Sequence, residues 1–109
     1  MINYPSNDAQ LDAIVKKLVD HFHPTKVFLF GSRARGTATA NSDYDIYLVV
    51  KDSKKSQFDR MDEANFVLWG REVPVDVFIY TEDEFAQAST VMSSISHTVA
   101  TEGLELLIG

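Results

Sequence analysis

Cysteine is absent from the 109 residues, which excludes disulfides, thiolate metal sites and a cysteine nucleophile together. Positive charge is scarce as well: 10 Lys and Arg stand against 16 Asp and Glu, for a formal net charge of −6. Non-specific binding to DNA or RNA rests on Lys and Arg neutralising phosphates, so direct nucleic-acid binding is not expected. A chain this acidic that handles a nucleotide should do so through metal ions. Also missing are any apolar run long enough to cross a bilayer and a basic N-terminal segment leading into an apolar signal region. The cytoplasm is therefore the expected location, with no membrane partner. No internal repeat, low-complexity tract or linker breaks the chain, and its length fits one domain spanning residues 1–109. That is short for an enzyme that must also enclose a substrate, so a partner or a second copy is expected to complete the site.

What is present is concentrated between Phe28 and Val50. The apolar run Val27 to Phe30 leads straight into Gly31 and Ser32, where a glycine lets backbone N–H groups approach a ligand without an intervening side chain. Such a turn can receive phosphate oxygens. Asp43 and Asp45 open a second strand-like run and are two residues apart, which puts both carboxylates on one face of a strand. Like charges that close call for a counter-cation, and hard divalent metals with oxygen ligands supply one. A third acid, Asp76, sits inside Val73–Tyr80, with Val73, Val75, Val77 and Ile79 on the opposite face. An acid in an apolar strand is costly to bury unless it is paired or metal-bound. A metal site shared with Asp43 and Asp45 explains it.

Each of these features has an ordinary alternative. Gly-Ser is a common turn pair, Ser42-Asp43 can form an Asx turn, and Asp76 can be a paired structural acid. Taken jointly, Gly31-Ser32, ten further residues, Asp43-Tyr44-Asp45 and then a valine-flanked Asp76 resemble the DNA polymerase β-like nucleotidyltransferase superfamily. The wording Gly31-Ser-Arg-Ala-Arg-Gly36 and the small size are similar to its minimal nucleotidyltransferase (MNT) branch. The resemblance implies an α+β, two-layer nucleotidyltransferase fold, and transfer of a nucleoside monophosphate, AMP from ATP, to an acceptor hydroxyl. It also implies two divalent ions, Mg²⁺, held by Asp43, Asp45 and Asp76, with Asp76 serving the nucleophile. Gly31 and Ser32 would contact the β and γ phosphates. Arg33 and Arg35 each read either as phosphate donors or as solvated or ion-paired arginines, with Arg33 favoured because it adjoins Ser32.

Stand-alone members of the MNT branch resemble antitoxins paired with a HEPN-domain ribonuclease, in which a tyrosine of the toxin is adenylylated. A HEPN toxin is thus the implied partner and acceptor. Two rival readings stand beside it: transfer to a small hydroxylated molecule such as an aminoglycoside, and a non-catalytic antitoxin that neutralises its partner by contact.

Elsewhere the apolar spacing at 11, 14, 15, 18, 19 and 22 predicts a helix from Asn7, as N-cap, to Phe22, ended by Pro24. His21 and His23 read as helix-end or exposed residues. Thr37 to Ser42 reads as a loop, and Gln57 to Trp69 as a helix with Phe58, Met61, Ala64, Val67 and Leu68 in the core. Thr81-Glu-Asp-Glu84 matches a capping box, and a last helix is expected over Thr90–Glu102 with Val91, Met92, Ile95 and Val99 inward. His97 within it reads as structural or exposed. The apolar tail Leu104–Ile108 can add an edge strand, pack on the sheet or face a partner. This order predicts a small mixed sheet with helices on one side, and a dimer or hetero-complex in preference to a monomer.

Overall fold

A computed structural model describes residues 2–4, 6–39, 42–70 and 73–108. The elements run β1 (Ile2–Asn3), α1 (Ala9–Phe22), β2 (Lys26–Phe30), α2 (Ser32–Arg35), β3 (Tyr44–Val50), α3 (Gln57–Val67), β4 (Val75–Thr81), α4 (Glu82–Ala88), α5 (Ile95–Glu102) and β5 (Leu104–Leu107). The strands form one mixed sheet in the order β1-β5-β2-β3-β4. β2 is antiparallel to β3 and β5, while β3 and β4 are parallel. Parallel neighbours need a crossover, and α3 provides it, running back along the sheet between the two strands that carry the acids.

Period-two alternation sorts the strand side chains onto two faces. Val27, Leu29, Tyr44, Ile46, Leu48, Val75, Val77 and Ile79 pack with Leu11, Ile14, Val15 and Leu18 of α1 and with Ala64 and Leu68. Phe28, Phe30, Tyr47 and Val49 point the other way and meet Phe78, Tyr80, Phe85, Ile95 and Val99. The mixed sheet is as the sequence predicts. The one-sided arrangement is not: α4 and α5 lie against the second face through Phe85, Ile95 and Val99. The aromatic positions on that face demand cover that α1 and α3 cannot supply from the opposite side.

Local signals set most boundaries, with a few shifts. Asp8, not Asn7, caps α1: its side chain accepts from the N–H groups of Gln10 and Leu11, and the Tyr44 hydroxyl donates to its Oδ2 at 2.7 Å. The chain leaves α1 through His23 in the left-handed region. His21 Nε2 meets Glu63 Oε2 at 2.6 Å on the surface, in keeping with a helix-end residue. The Thr81–Glu84 capping box forms as expected. The C-terminal tail does become a strand, but an interior one, because β1 pairs outside it.

Two helices bury only part of what the sequence pattern indicates: Ala64, Leu68 and Val99 are inward as expected, but other positions differ. In α3 the inward positions are Arg60, Ala64 and Leu68, whereas Phe58 is 72% exposed. Arg60 turns the helix, because its guanidinium reaches the Ile79 carbonyl and Glu84. The last helix begins only at Ile95, capped by Ser94, so Val91 and Met92 lie in the preceding turns and are exposed. Ser94 Oγ donates to the Ala88 and Val91 carbonyls and accepts from His97 N–H, which holds the turn in place of another helical turn. His97 Nδ1 lies 2.9 Å from the Ser89 carbonyl, a structural contact.

Candidate active site

β2 ends at Phe30 directly opposite Asp45 of β3, and Asp45 is in turn the register partner of Asp76 on β4. Strand pairing alone therefore sets the two acids side by side on the aromatic face of the sheet. Their side chains are in hydrogen-bonding contact, and the charge of Asp43, which precedes β3, also acts on Asp45. Burial pushes the Asp45 carboxyl above its ordinary range, and the charges of Asp76 and Asp43 push it further, with Arg35 partly opposing. The burial comes from below: Phe30 and Phe78 lie on the same face with ring centroids 5.8 Å apart, and Tyr47 stacks on Tyr80 at 4.9 Å behind them. Asp45 is half-buried against this floor, whereas Asp43 and Asp76 are exposed.

Gly31 lies against the same carboxylate. Its φ of 72° lies in the region that L side chains avoid. A Cβ there would also clash with Asp45 Oδ2, well inside van der Waals contact distance. The glycine is thus required twice, by backbone shape and by the closeness of the acid. The single-turn helix α2, which the sequence reading treats only as a turn, follows at once. Ala34 and Arg35 donate their N–H groups to the Gly31 carbonyl at 3.1 Å. That leaves the N–H groups of Ser32 and Arg33 without an acceptor inside the turn, at the same corner as the acids. Gly36 closes α2 with its N–H on the Ser32 carbonyl.

Arg33 is not brought to the acids. Its guanidinium sits 3.8 Å over the Tyr44 ring and donates to the Ser42 carbonyl through Nε at 3.2 Å and Nη2 at 2.7 Å. It braces the loop of residues 37–42, of which Ala40 and Asn41 lie outside the described residues. The Tyr44 hydroxyl, pushed up to about 12 by burial and by its bond to Asp8, ties that brace to the N-terminus of α1. Arg35, the less favoured of the two from the sequence, is the arginine whose charge reaches Asp45. The aromatic floor was also missed, although the period-two pattern Asp45-x-Tyr47 and Asp76-x-Phe78-x-Tyr80 carried the signal.

An open cleft of about 570 Å³, lined by Asp8, Leu11, Arg33 and Tyr44 among others, lies on the α1 side and contains none of the three acids. The acids sit instead on an open corner of the sheet. Among the described residues no three His, Cys, Asp or Glu side chains are gathered closely enough to enclose an ion as they stand. The donor set nonetheless suits a hard divalent cation. Asp45 and Asp76 stand side by side with the charge of Asp43 in reach, Asp45 is held above its ordinary pKa by burial and then by these two neighbours, and Arg35 is the cation that acts on it. A divalent cation would offset the repulsion that Asp76 and Asp43 exert on Asp45.

The fold is that of a nucleotidyltransferase domain. A family model described as a nucleotidyltransferase domain matches residues 11–101, and the chain belongs to that family. No curated protein matches the sequence. Among solved structures, a candidate nucleotidyltransferase from Sulfolobus solfataricus is 32% identical, covering 72% of this chain and 69% of its own, with a TM-score of 0.57. A toxin–antitoxin structure with AMP-PNP is 26% identical over 85% of this chain and 69% of its own, with a TM-score of 0.53.

Proposed function

We propose that this chain transfers AMP from ATP to a tyrosine hydroxyl of a HEPN-domain toxin in the cytoplasm and so acts as its antitoxin. The observation that carries the reading is the placement of Asp45 and Asp76 side by side next to Gly31, with Asp43 in electrostatic reach. The likeness to a toxin–antitoxin structure that holds an ATP analogue supports both the nucleotide and the kind of partner.

In this mechanism the Gly31-Ser32 corner receives the β and γ phosphates through the free N–H groups of α2 and the Ser32 hydroxyl. Arg33, committed to Ser42 and Tyr44, holds the loop that frames this corner, and Arg35 is the arginine available to phosphate. Asp43, Asp45 and Asp76 would hold two divalent ions, Mg²⁺ by family, which supply charge neutralisation at the triphosphate and acidify the acceptor hydroxyl. Asp76 is the exposed member of the β-strand pair, so an acceptor can reach it. It takes the hydroxyl proton as the acceptor oxygen bonds to the α-phosphorus and the bond to the bridging oxygen breaks, releasing pyrophosphate. Asp45 sits deeper and keeps a fixed position against Gly31.

Incubation with ATP labelled at the α-phosphate, Mg²⁺ and the co-purified HEPN protein tests the reading. Label on a toxin tyrosine, lost in Asp43→Asn/Asp45→Asn, is the expected result. Label on an aminoglycoside in place of protein favours the small-molecule reading. Silencing of the toxin by the double variant would make contact, not chemistry, the mechanism.

A further inference from the structure

The outer face of α3 is apolar where a solvent-facing helix should be polar. Phe58, Phe66 and Trp69 are 72%, 80% and 84% exposed. Phe58 and Phe66 lie about two turns, roughly 12 Å, apart on the side of α3 away from the buried Arg60 and Ala64, with Asp62 between them, and Trp69 follows in the turn after the helix. Three aromatic rings offer roughly 500 Å² of surface, more than half of the about 800 Å² that one partner buries in a standard interface. Exposed aromatics on this scale, set among polar residues, mark sites of protein contact.

We infer that this stripe docks a protein partner whose complementary face is an apolar groove rimmed by lysine and arginine. Charge decides the occupant. Asp59 and Asp62 flank the rings and are exposed, while the helix's one cation, Arg60, is buried in an ion pair with Glu84. A second copy packed face to face would bring these acids together in a chain that already carries −6, and like charges across an interface are strongly disfavoured. Anionic lipid and nucleic acid are repelled for the same reason. α3 runs back from β3 to β4, so Trp69 lies at the end of the sheet that carries Asp45 and Asp76, while α3 itself covers the face opposite the one that bears the acids.

The inference rests on the toxin-partner reading, and the experiment separates the two. The HEPN-domain protein expected from the neighbouring gene is titrated, by calorimetry, into wild type, Phe66→Ala/Trp69→Ala, Asp59→Lys/Asp62→Lys and Asp43→Asn/Asp45→Asn. Wild type and Asp43→Asn/Asp45→Asn should bind alike. The aromatic double variant should bind about 100-fold more weakly while keeping the wild-type circular dichroism spectrum and ATP affinity, and the lysine variant about 10-fold more weakly. Wild-type affinity in the aromatic variant overturns the docking face and leaves the toxin reading standing. No binding by wild type overturns both. A wild-type dimer in sedimentation that becomes monomeric in Phe66→Ala/Trp69→Ala would assign the stripe to self-association and overturn the charge argument.

Discussion

At Asp45 the demands of folding and of chemistry oppose one another. The carboxyl is held above its ordinary pKa by burial and by Asp76 and Asp43, so its ionised form is disfavoured in the folded chain relative to the unfolded one. The sign follows: at neutral pH this acid costs stability, and the cost fades as pH falls through its folded value. Asp45→Asn should therefore raise the melting temperature in EDTA while lowering nucleotide transfer by about 100-fold or more. Mg²⁺ with ATP should raise the melting temperature of wild type and leave that of the variant nearly unmoved, as differential scanning fluorimetry would read. Gly31→Ala makes the opposite trade. It forces a side chain into an extended positive-φ backbone that only glycine adopts readily, at about 1–3 kcal/mol, and drives a methyl against Asp45 Oδ2. Both stability and transfer should fall, and an equilibrium urea curve together with the labelled-ATP assay would show the two losses.

At the scale of elements, the ion pair between Arg60 and Glu84 joins α3, β4 and α4. Arg60 Nη1 donates to the Ile79 carbonyl at 3.1 Å and to Glu84 Oε1 at 2.6 Å, and Glu84 also closes the capping box on Thr81. The hydrogen bond from Arg60 holds the Glu84 carboxyl below its ordinary 4.5. Its contribution is present above that value and lost as pH falls through the lower, folded one. Glutamine can still serve the cap but cannot neutralise Arg60. Glu84→Gln should thus cost about 1–2 kcal/mol at pH 7, discounted for the partial exposure of Glu84, and its melting curve should converge on wild type as pH falls through the lowered Glu84 value. Glu84→Ala loses the cap as well and should cost about 1 kcal/mol more.

Elements of this kind divide what the sequence discloses from what it withholds. β2, β3 and β4 were legible because alternation reports directly on burial, and Asp45 and Asp76 stood out as the acids within it. The rotation of α3 was not, since Phe58 and Arg60 compete for the inward position and only the distant Glu84 and Ile79 carbonyl decide for arginine. The direction of Arg33 was hidden for the same reason: its neighbour in sequence is Ser32, but its neighbours in space are Tyr44 and Ser42. The late start of α5 depends on one serine hydroxyl bonding back across the turn, which no periodicity reveals.

For the whole molecule, surplus negative charge sets which partners are open to it. A duplex oligonucleotide at 0.15 M salt should bind no more tightly than about 0.1 mM, the weak end of non-specific association, in a fluorescence-anisotropy titration. No described helix is long and apolar enough to cross a membrane.

The strand order carries one more implication. β4 is outermost among the described strands, so Asp76 stands exposed at the rim of the sheet. A hydroxyl need not be small to arrive there; it needs only to project far enough from whatever bears it. Selection among acceptors then falls to how the bearer is held, and a residue on a large folded surface can compete on equal terms with a diffusing sugar.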